Sequence, residues 1–152
     1  MSQKGKEARA LFEQGYNCAQ AVAGAFAAEM GLPQETVVRM VSPFGGGMGR
    51  LREVCGAFSG ALFVLGVLYG YDDAKANEEK MQLYKEVQEL AAKFTEQNGS
   101  FICRDLLGLH AGASDPQPAP RTPQYYHDRR CSDAVESAAT LMEAFIGEHP
   151  LG

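Results

Sequence analysis

An uncharged segment runs without interruption from Val54 to Tyr71 and is bounded by Glu53 and Asp72. Its length reaches the lower limit of a membrane-spanning helix, about 17–25 residues. The segment is nevertheless rich in glycine, no second run resembles it, and the mean hydropathy of the chain is −0.22. We therefore expect a buried central helix and no membrane span, because a helix that is covered on all sides is apolar all round.

Apolar residues recur at intervals of three and four along most of the remaining chain, which is the period of one helical face. No segment alternates convincingly enough to pair as a strand with Phe63–Leu65, and a lone strand has no partner. The sequence therefore predicts an all-α fold, a single compact helical bundle around the central apolar helix. The helices predicted besides the central one are a short helix that ends at Gly15, then 17–31, 33–41, 73–97 and 129–146.

One stretch, residues 108–127, lacks clear periodicity and contains four prolines, at 116, 118, 120 and 123. Loops of this length inside compact domains are uncommon and tend to be functional or disordered. We expect one long proline-rich loop that lies across one end of the bundle and connects the region of Cys103 to that of Cys131.

The length and charge of the chain limit the classes of protein to which it can belong. Its 152 residues suit one domain, residues 1–152, with one core. A net charge of −5 and the absence of a basic stripe argue against nucleic acid as a partner.

The first residues are polar and contain no apolar signal-peptide core, so we expect the protein to lie in a reducing cytoplasm. In that compartment, widely spaced cysteines more often bind metals or react than form structural disulfides.

The four cysteines, Cys18, Cys55, Cys103 and Cys131, each fall where a helix is predicted to begin. Asn17 and Gln20, for example, resemble a capping box for the helix that contains Cys18. A helix N-terminus carries partial positive charge and free N–H groups, which stabilise a thiolate. The chain contains no CxxC pair, so tertiary structure must assemble any joint site. We expect the four sulfurs to converge at one end of the bundle.

Arginines flank three of the four cysteines in the sequence. The pattern predicts lowered thiol pKa values, because a nearby cation favours the thiolate. Two other interpretations remain open: solvated or acid-paired arginines, and cysteines that pack as small hydrophobic residues. The flanking arginines are Arg50 and Arg52 before Cys55, Arg104 after Cys103, and Arg129 and Arg130 before Cys131.

A glycine-rich segment precedes Cys55 and reads FGGGMGR over residues 44–50. Consecutive glycines can turn backbone N–H groups toward an anion or a sulfur. The segment lacks the glycine spacing of nucleotide-binding loops, which makes nucleotide binding a weak interpretation. We expect Gly45, Gly46, Gly47 and Arg50 to wrap tightly around the Cys55 site and to help bind a cofactor there. A plain flexible connector is the alternative.

These motifs in this order resemble the C_GCAxxG_C_C family of putative redox-active proteins. The residues that carry the resemblance are NCAQAV at 17–22, FGGGMGR at 44–50, CGAFSGA at 55–61, Cys103-Arg104 and Cys131. The resemblance spans nearly the whole chain, and the four cysteines match those that describe the family. The family label writes its central motif GCAxxG, whereas this chain has CGAxxG at 55–60.

The resemblance implies redox activity without a settled substrate. Because the family is similar to a domain of multi-haem cytochromes that carries an iron–sulfur centre, it also makes a 2Fe–2S cluster a candidate cofactor. The haem-attachment motif CxxCH is absent.

Three hypotheses follow for the cysteines. The first is a small electron-transfer protein whose four thiolates ligate an iron–sulfur cluster or another metal. The second is a metal-free protein in which pairs of cysteines cycle between thiols and disulfides. The third is a helical interaction module with inert cysteines. The first two need a redox partner, either a protein or a small thiol or electron carrier. The small-residue face at Gly56 and Gly60 could serve an internal helix contact or a homodimer.

Overall fold

The structure, a computed structural model, describes residues 2–109 and 112–151, and of Asp128 only the backbone. The described residues form helices and no sheet, which confirms the all-α prediction. In chain order the elements are α1 (Gln3–Glu13), α2 (Cys18–Ala25), α3 (Ala27–Met30), α4 (Gln34–Val41), a 3₁₀ helix (Ser42–Phe44), α5 (Gly45–Met48), α6 (Gly56–Tyr69), α7 (Asn77–Asn98), α8 (Cys103–Leu107), α9 (Pro123–Asp128) and α10 (Cys131–Glu148).

The central helix of the fold is α6, which the uncharged segment predicts. It packs mainly against α2 and α10 and contributes buried Phe58, Val64 and Leu65 to the core. Close packing against α2 depends on Gly60, where an added Cβ would lie 2.7 Å from the carbonyl oxygen of Ala19. Within the described residues, no helix is both long enough and apolar enough to cross a membrane.

The N-terminal helix α1 packs against the C-terminal helix α10 and also against α2. Arg9 on α1 pairs with Asp133 and Glu136 on α10, at 2.6 and 2.7 Å. Phe12 of α1 and Phe26, which follows α2, are almost completely buried in the core beneath these contacts. The start of α10, and with it Cys131, is therefore held beside the N-terminal helices.

Several of the sequence-based boundaries are wrong. The helix predicted over 17–31 is interrupted at Phe26, and the second part ends at Gly31 in the left-handed conformation. The proline-rich loop is shorter than predicted, because α9 occupies its last residues. The Thr122 side chain caps α9 by accepting from the Tyr125 N–H, and Pro123 takes the first helical position, where its missing N–H costs nothing. Within the predicted loop, residues 110 and 111 lie outside the described residues.

Candidate functional site: four cysteines around one cavity

Each of the four cysteines lies at the beginning of a helix. Cys18, Cys103 and Cys131 are the first residues of α2, α8 and α10, and Cys55 immediately precedes α6. The capping box at α2 is complete. Asn17 accepts from the Gln20 N–H at 2.9 Å, and the Gln20 side chain accepts from the Asn17 N–H at 3.0 Å. This capping box fixes the backbone at the start of α2, from which the Cys18 side chain projects.

All four cysteines line one cavity of about 390 Å³. The proline-rich segment forms part of its wall, with Pro116 and Pro118. Gly45, Gly46 and Arg50 also line the cavity, whereas Gly47 lies behind its wall. The fold thus brings together sulfurs from four widely separated stretches of the chain.

A short antiparallel contact between two extended segments fixes the backbone of Cys55 at one end and that of Cys103 at the other. The Cys55 N–H donates to the Phe101 carbonyl oxygen at 2.8 Å, and the Cys103 N–H donates to the Glu53 carbonyl oxygen at 2.6 Å. Between them, Val54 and Ile102 form an isolated bridge. Val54 belongs to the segment predicted as the central helix, but its backbone lies outside α6 and forms this contact.

Two glycines allow the backbone to approach the sulfur-bearing side chains closely. An added Cβ at Gly56 would lie 2.6 Å from Cys18 Sγ and 2.9 Å from the carbonyl oxygen of Phe44. At Gly47, where φ is +69°, it would lie 2.6 Å from Cys103 Cβ. Gly47 of the glycine-rich segment therefore packs directly against Cys103.

Arg52 donates a hydrogen bond to Cys103, although Cys55 lies much nearer to it in the sequence. Its side chain is buried, Nη1 donates to Cys103 Sγ at 3.6 Å, and Nε donates to Ser114 Oγ at 2.8 Å. Arg104 turns away to the surface, where it pairs with Glu53 at 3.3 Å. The position of an arginine in the sequence therefore does not predict which cysteine it contacts.

Arg121 is a cavity residue that the sequence analysis missed. Its two terminal nitrogens each donate at 2.9 Å, Nη1 to the carbonyl oxygen of Phe12 and Nη2 to that of Tyr16. Its guanidinium lies 4.4 Å from the ring centre of Phe12 and 5.0 Å from that of Tyr125. It fastens the proline-rich segment to α1. The aromatic pair that follows it in the sequence was the available signal, because arginine stacks on aromatic rings.

A family model described as "Putative redox-active protein (C_GCAxxG_C_C)" matches residues 16–145, which include all four cysteines. The chain belongs to the C_GCAxxG_C_C family. This match confirms the resemblance drawn from the sequence motifs. No curated protein and no solved structure matches the chain.

Three thiols of this C_GCAxxG_C_C protein, those of Cys55, Cys103 and Cys131, are not the stabilised thiolates that the flanking arginines predict. Burial raises the pKa of Cys55 well above its usual value, and the neighbouring Cys18 adds to that effect. Burial also raises the pKa of Cys103, against the opposing effect of Arg52, and raises the pKa of Cys131 to about 12. The prediction of lowered pKa values is wrong for these three residues, because loss of hydration outweighs the nearby cations and N–H groups.

The C_GCAxxG_C_C cavity offers sulfur donors without a preformed site for a single metal ion. All four cysteines are free thiols. In the part of the chain that the structure describes, no three His, Cys, Asp or Glu side chains are placed to hold one ion. Four cysteines that line one cavity nevertheless form a donor set of the soft type that iron–sulfur clusters and zinc select. The chemistry of the donors fits such a group.

We predict that the reduced, metal-free protein loses stability as the pH rises above about 8.5, the ordinary pKa of a thiol. In the unfolded chain the thiols ionise near that value, whereas in the folded protein burial keeps Cys55, Cys103 and Cys131 protonated to higher pH. The folded state then binds more protons than the unfolded state, so the free energy of unfolding falls with pH. For Cys131 the loss continues until about pH 12.

Urea denaturation at pH 7, 8.5 and 10 measures this effect. A variant with all four cysteines replaced by serine, which lacks the thiol titration, is the control and should show a smaller decrease between pH 8.5 and 10. Equal decreases in the two proteins would contradict the assignment.

Proposed function

We propose that this protein is a redox protein in which Cys18, Cys55, Cys103 and Cys131 act as one site. We further propose that the site holds a 2Fe–2S cluster and exchanges electrons with a partner protein or a small electron carrier. The observation that carries the proposal is that all four cysteines of the chain line a single cavity.

The arrangement is unusual for cysteines that only fill space. A cysteine that packs as a small hydrophobic residue needs no other cysteine nearby. Here four helix starts present their sulfurs to a common space, and glycines at 47 and 56 make room for two of those side chains. This selective arrangement favours joint chemistry over inert packing.

The four cysteines would hold the cluster, which supplies one-electron transfer when bound. The protein itself supplies the surroundings. Arginines on the cavity wall offset the negative charge of thiolate ligands, and the proline-rich segment contributes apolar residues to the wall. Because three of the thiols are protonated when the site is free, their protons must leave before they ligate a metal.

A metal-free thiol–disulfide cycle is the second candidate. It is favoured by the absence of a three-ligand set among the described side chains and by the four free thiols. In this cycle two thiols form one S–S bond and pass two electrons and two protons to a disulfide acceptor, which becomes two thiols.

Iron, acid-labile sulfide and visible absorption of the anaerobically purified protein test the proposal. We expect about two irons and two sulfides per chain, the content of one 2Fe–2S cluster. Replacing any one of the four cysteines by serine should remove most of the iron. The matched control is Ala134→Ser, which adds a hydroxyl to the wall of the same cavity without removing a sulfur.

The other outcomes separate the remaining hypotheses. If the anaerobically purified protein is colourless and contains no iron, the proposal of a cluster is wrong. Four thiols that then disappear on mild oxidation and return on reduction would support the disulfide cycle. A protein that binds no iron and whose thiols do not respond to oxidants would overturn both, and would favour an interaction module with inert cysteines.

A further inference from the structure

The cavity wall combines several cations with no described anion. Among the described residues that line it, none is an aspartate or a glutamate. The arginines that line it are Arg50, Arg52, Arg121, Arg129 and Arg130. Arg121 is already engaged by two carbonyl oxygens, so its charge has a structural use. The same is not true of Arg50.

Arg50 has a buried hydrogen-bond donor without an acceptor among the described atoms. Its Nε is buried, and no described atom accepts a hydrogen bond from it. Burial lowers the pKa of its guanidinium, and the positive charges of Arg52 and Arg129 lower it further. The opposing charge is that of Asp115, an exposed residue whose carboxylate accepts from the Gln117 N–H. Among the described side chains, neither Arg50 nor Arg52 forms an ion pair with a carboxylate.

Like charges held together in a partly buried space destabilise the free protein unless an anion joins them. A planar guanidinium presents its N–H groups in a fixed fork that matches the two oxygens of a carboxylate, phosphate or sulfonate. Sulfur, in contrast, is a weak acceptor, so the four cysteines alone do not satisfy these donors. The missing partner is therefore best supplied by an oxyanion.

Much of the remaining cavity wall is apolar. Phe12, Leu106, Leu107, Pro116 and Pro118 are part of it. A volume of about 390 Å³ falls within the range of small-molecule sites, roughly 300–1,000 Å³. Such a space is larger than a bare oxyanion needs, and its apolar wall would contact a hydrocarbon body.

We propose that the cavity binds a small organic anion, with its oxyanion group against Arg50 and Arg52 and its apolar body against the proline-rich wall. The ligand then lies beside the four thiols, which makes it a candidate redox substrate or a ligand that controls access to them. That role rests on the proposed function, but the binding does not require it.

Calorimetric titration of the reduced, metal-free full chain at low ionic strength tests the proposal. The probes are benzoate, phenyl phosphate, inorganic phosphate and neutral benzyl alcohol. We expect at least one of the two aromatic anions to bind at least about tenfold more tightly than both phosphate and benzyl alcohol, because it uses both parts of the site. Equal or tighter binding of inorganic phosphate would contradict the proposed contact with an organic body. Equal binding of benzyl alcohol would contradict the proposed recognition of an anion.

Arg50→Gln should weaken binding of the tighter aromatic anion by about tenfold or more, since it removes both the charge and the fork. The matched control is Arg39→Gln, which removes one exposed arginine from α4, away from the cavity, and should leave the affinity unchanged. Equal affinities in the two variants would overturn the role of Arg50. If Arg50→Gln does not fold, Arg50→Lys replaces it as the test variant. Lysine keeps the charge but lacks the planar pair of N–H donors, so it should still weaken binding.

Alkylation of the wild-type thiols gives a second measurement that needs no variant. Iodoacetate and iodoacetamide carry the same reactive carbon, but only the first is an anion. We expect the ratio of the iodoacetate rate to the iodoacetamide rate to be higher in the native protein than in urea. An unchanged ratio would overturn the proposal. Neither experiment depends on iron content or on disulfide cycling. A protein that binds no organic anion could still have the proposed redox function, and a protein without that function could still bind the anion.

Discussion

Gly56→Ala is expected to lower the free energy of unfolding by about 1–3 kcal/mol, the usual cost of overpacking a dense interior. The new methyl group would lie 2.6 Å from Cys18 Sγ and 2.9 Å from the carbonyl oxygen of Phe44. The backbone oxygen has little freedom to move, so the sulfur and the start of α6 must shift. We therefore also expect Cys18 to react faster with an alkylating reagent.

Two further glycines on the same helix provide the controls. Gly60→Ala should destabilise the protein to a similar extent, because its methyl group would lie 2.7 Å from the carbonyl oxygen of Ala19, but it touches no sulfur. At exposed Gly66 an added Cβ meets no atom within 4 Å, so Gly66→Ala should stabilise the protein by about 0.5–1 kcal/mol. Urea denaturation of all three variants gives these differences.

The outcome at Gly56 is decisive for the close packing of the site. A Gly56→Ala protein that is as stable as the wild type, with unchanged reactivity of Cys18, would show that the start of α6 does not press against this sulfur. If Gly56→Ala loses stability but Cys18 reacts at the wild-type rate, which is the result expected for Gly60→Ala, then the strain lies only in the contact between α6 and α2.

Arg52→Met is expected to slow alkylation of Cys103 at pH 8 by about tenfold, because an adjacent cation commonly shifts a pKa by one unit or more. The charge and the hydrogen bond of Arg52 hold the pKa of Cys103 below the value that burial alone would give. Without them a smaller fraction of Cys103 is thiolate, and the thiolate is the reactive form. Methionine preserves much of the buried volume.

Arg104→Met is the matched control. Arg104 adjoins Cys103 in the sequence, but it donates to the carbonyl oxygen of Arg52 and pairs with the partly exposed Glu53. Its removal should change the Cys103 rate by much less. Peptide mass spectrometry after timed alkylation measures Cys103 separately from the other cysteines. Equal rates in the wild type and Arg52→Met would contradict the contact between Arg52 and this sulfur.

The parts of this fold that sequence predicts best are those with local causes. The apolar segment predicts α6, and Asn17 with Gln20 predicts the start of α2, because both signals lie within a few residues of the structure they specify. The helix over Pro123–Asp128 has such a signal too, since Thr122 and proline form a normal helix start. Four prolines nearby concealed it by making the whole segment resemble a loop.

The electrostatics of the candidate site could not be derived in this way. Arg52 reaches Cys103 across 51 positions of the chain, and only the fold brings the two side chains together. The direction of the thiol pKa shifts depends on how deeply each sulfur is buried. Cys103 begins a helix and contacts an arginine, yet burial still raises its pKa. Sequence shows which charges are present, whereas the fold determines how much water they lose.

Disulfide mapping of the reduced, metal-free protein after mild oxidation with diamide tests the shared cysteine site most directly. Because all four cysteines line one cavity, we predict a monomer in which every cysteine belongs to an intrachain disulfide, with a mass lower by four hydrogens. Protein that retains its free thiols, or that forms disulfides only between chains, would contradict the account.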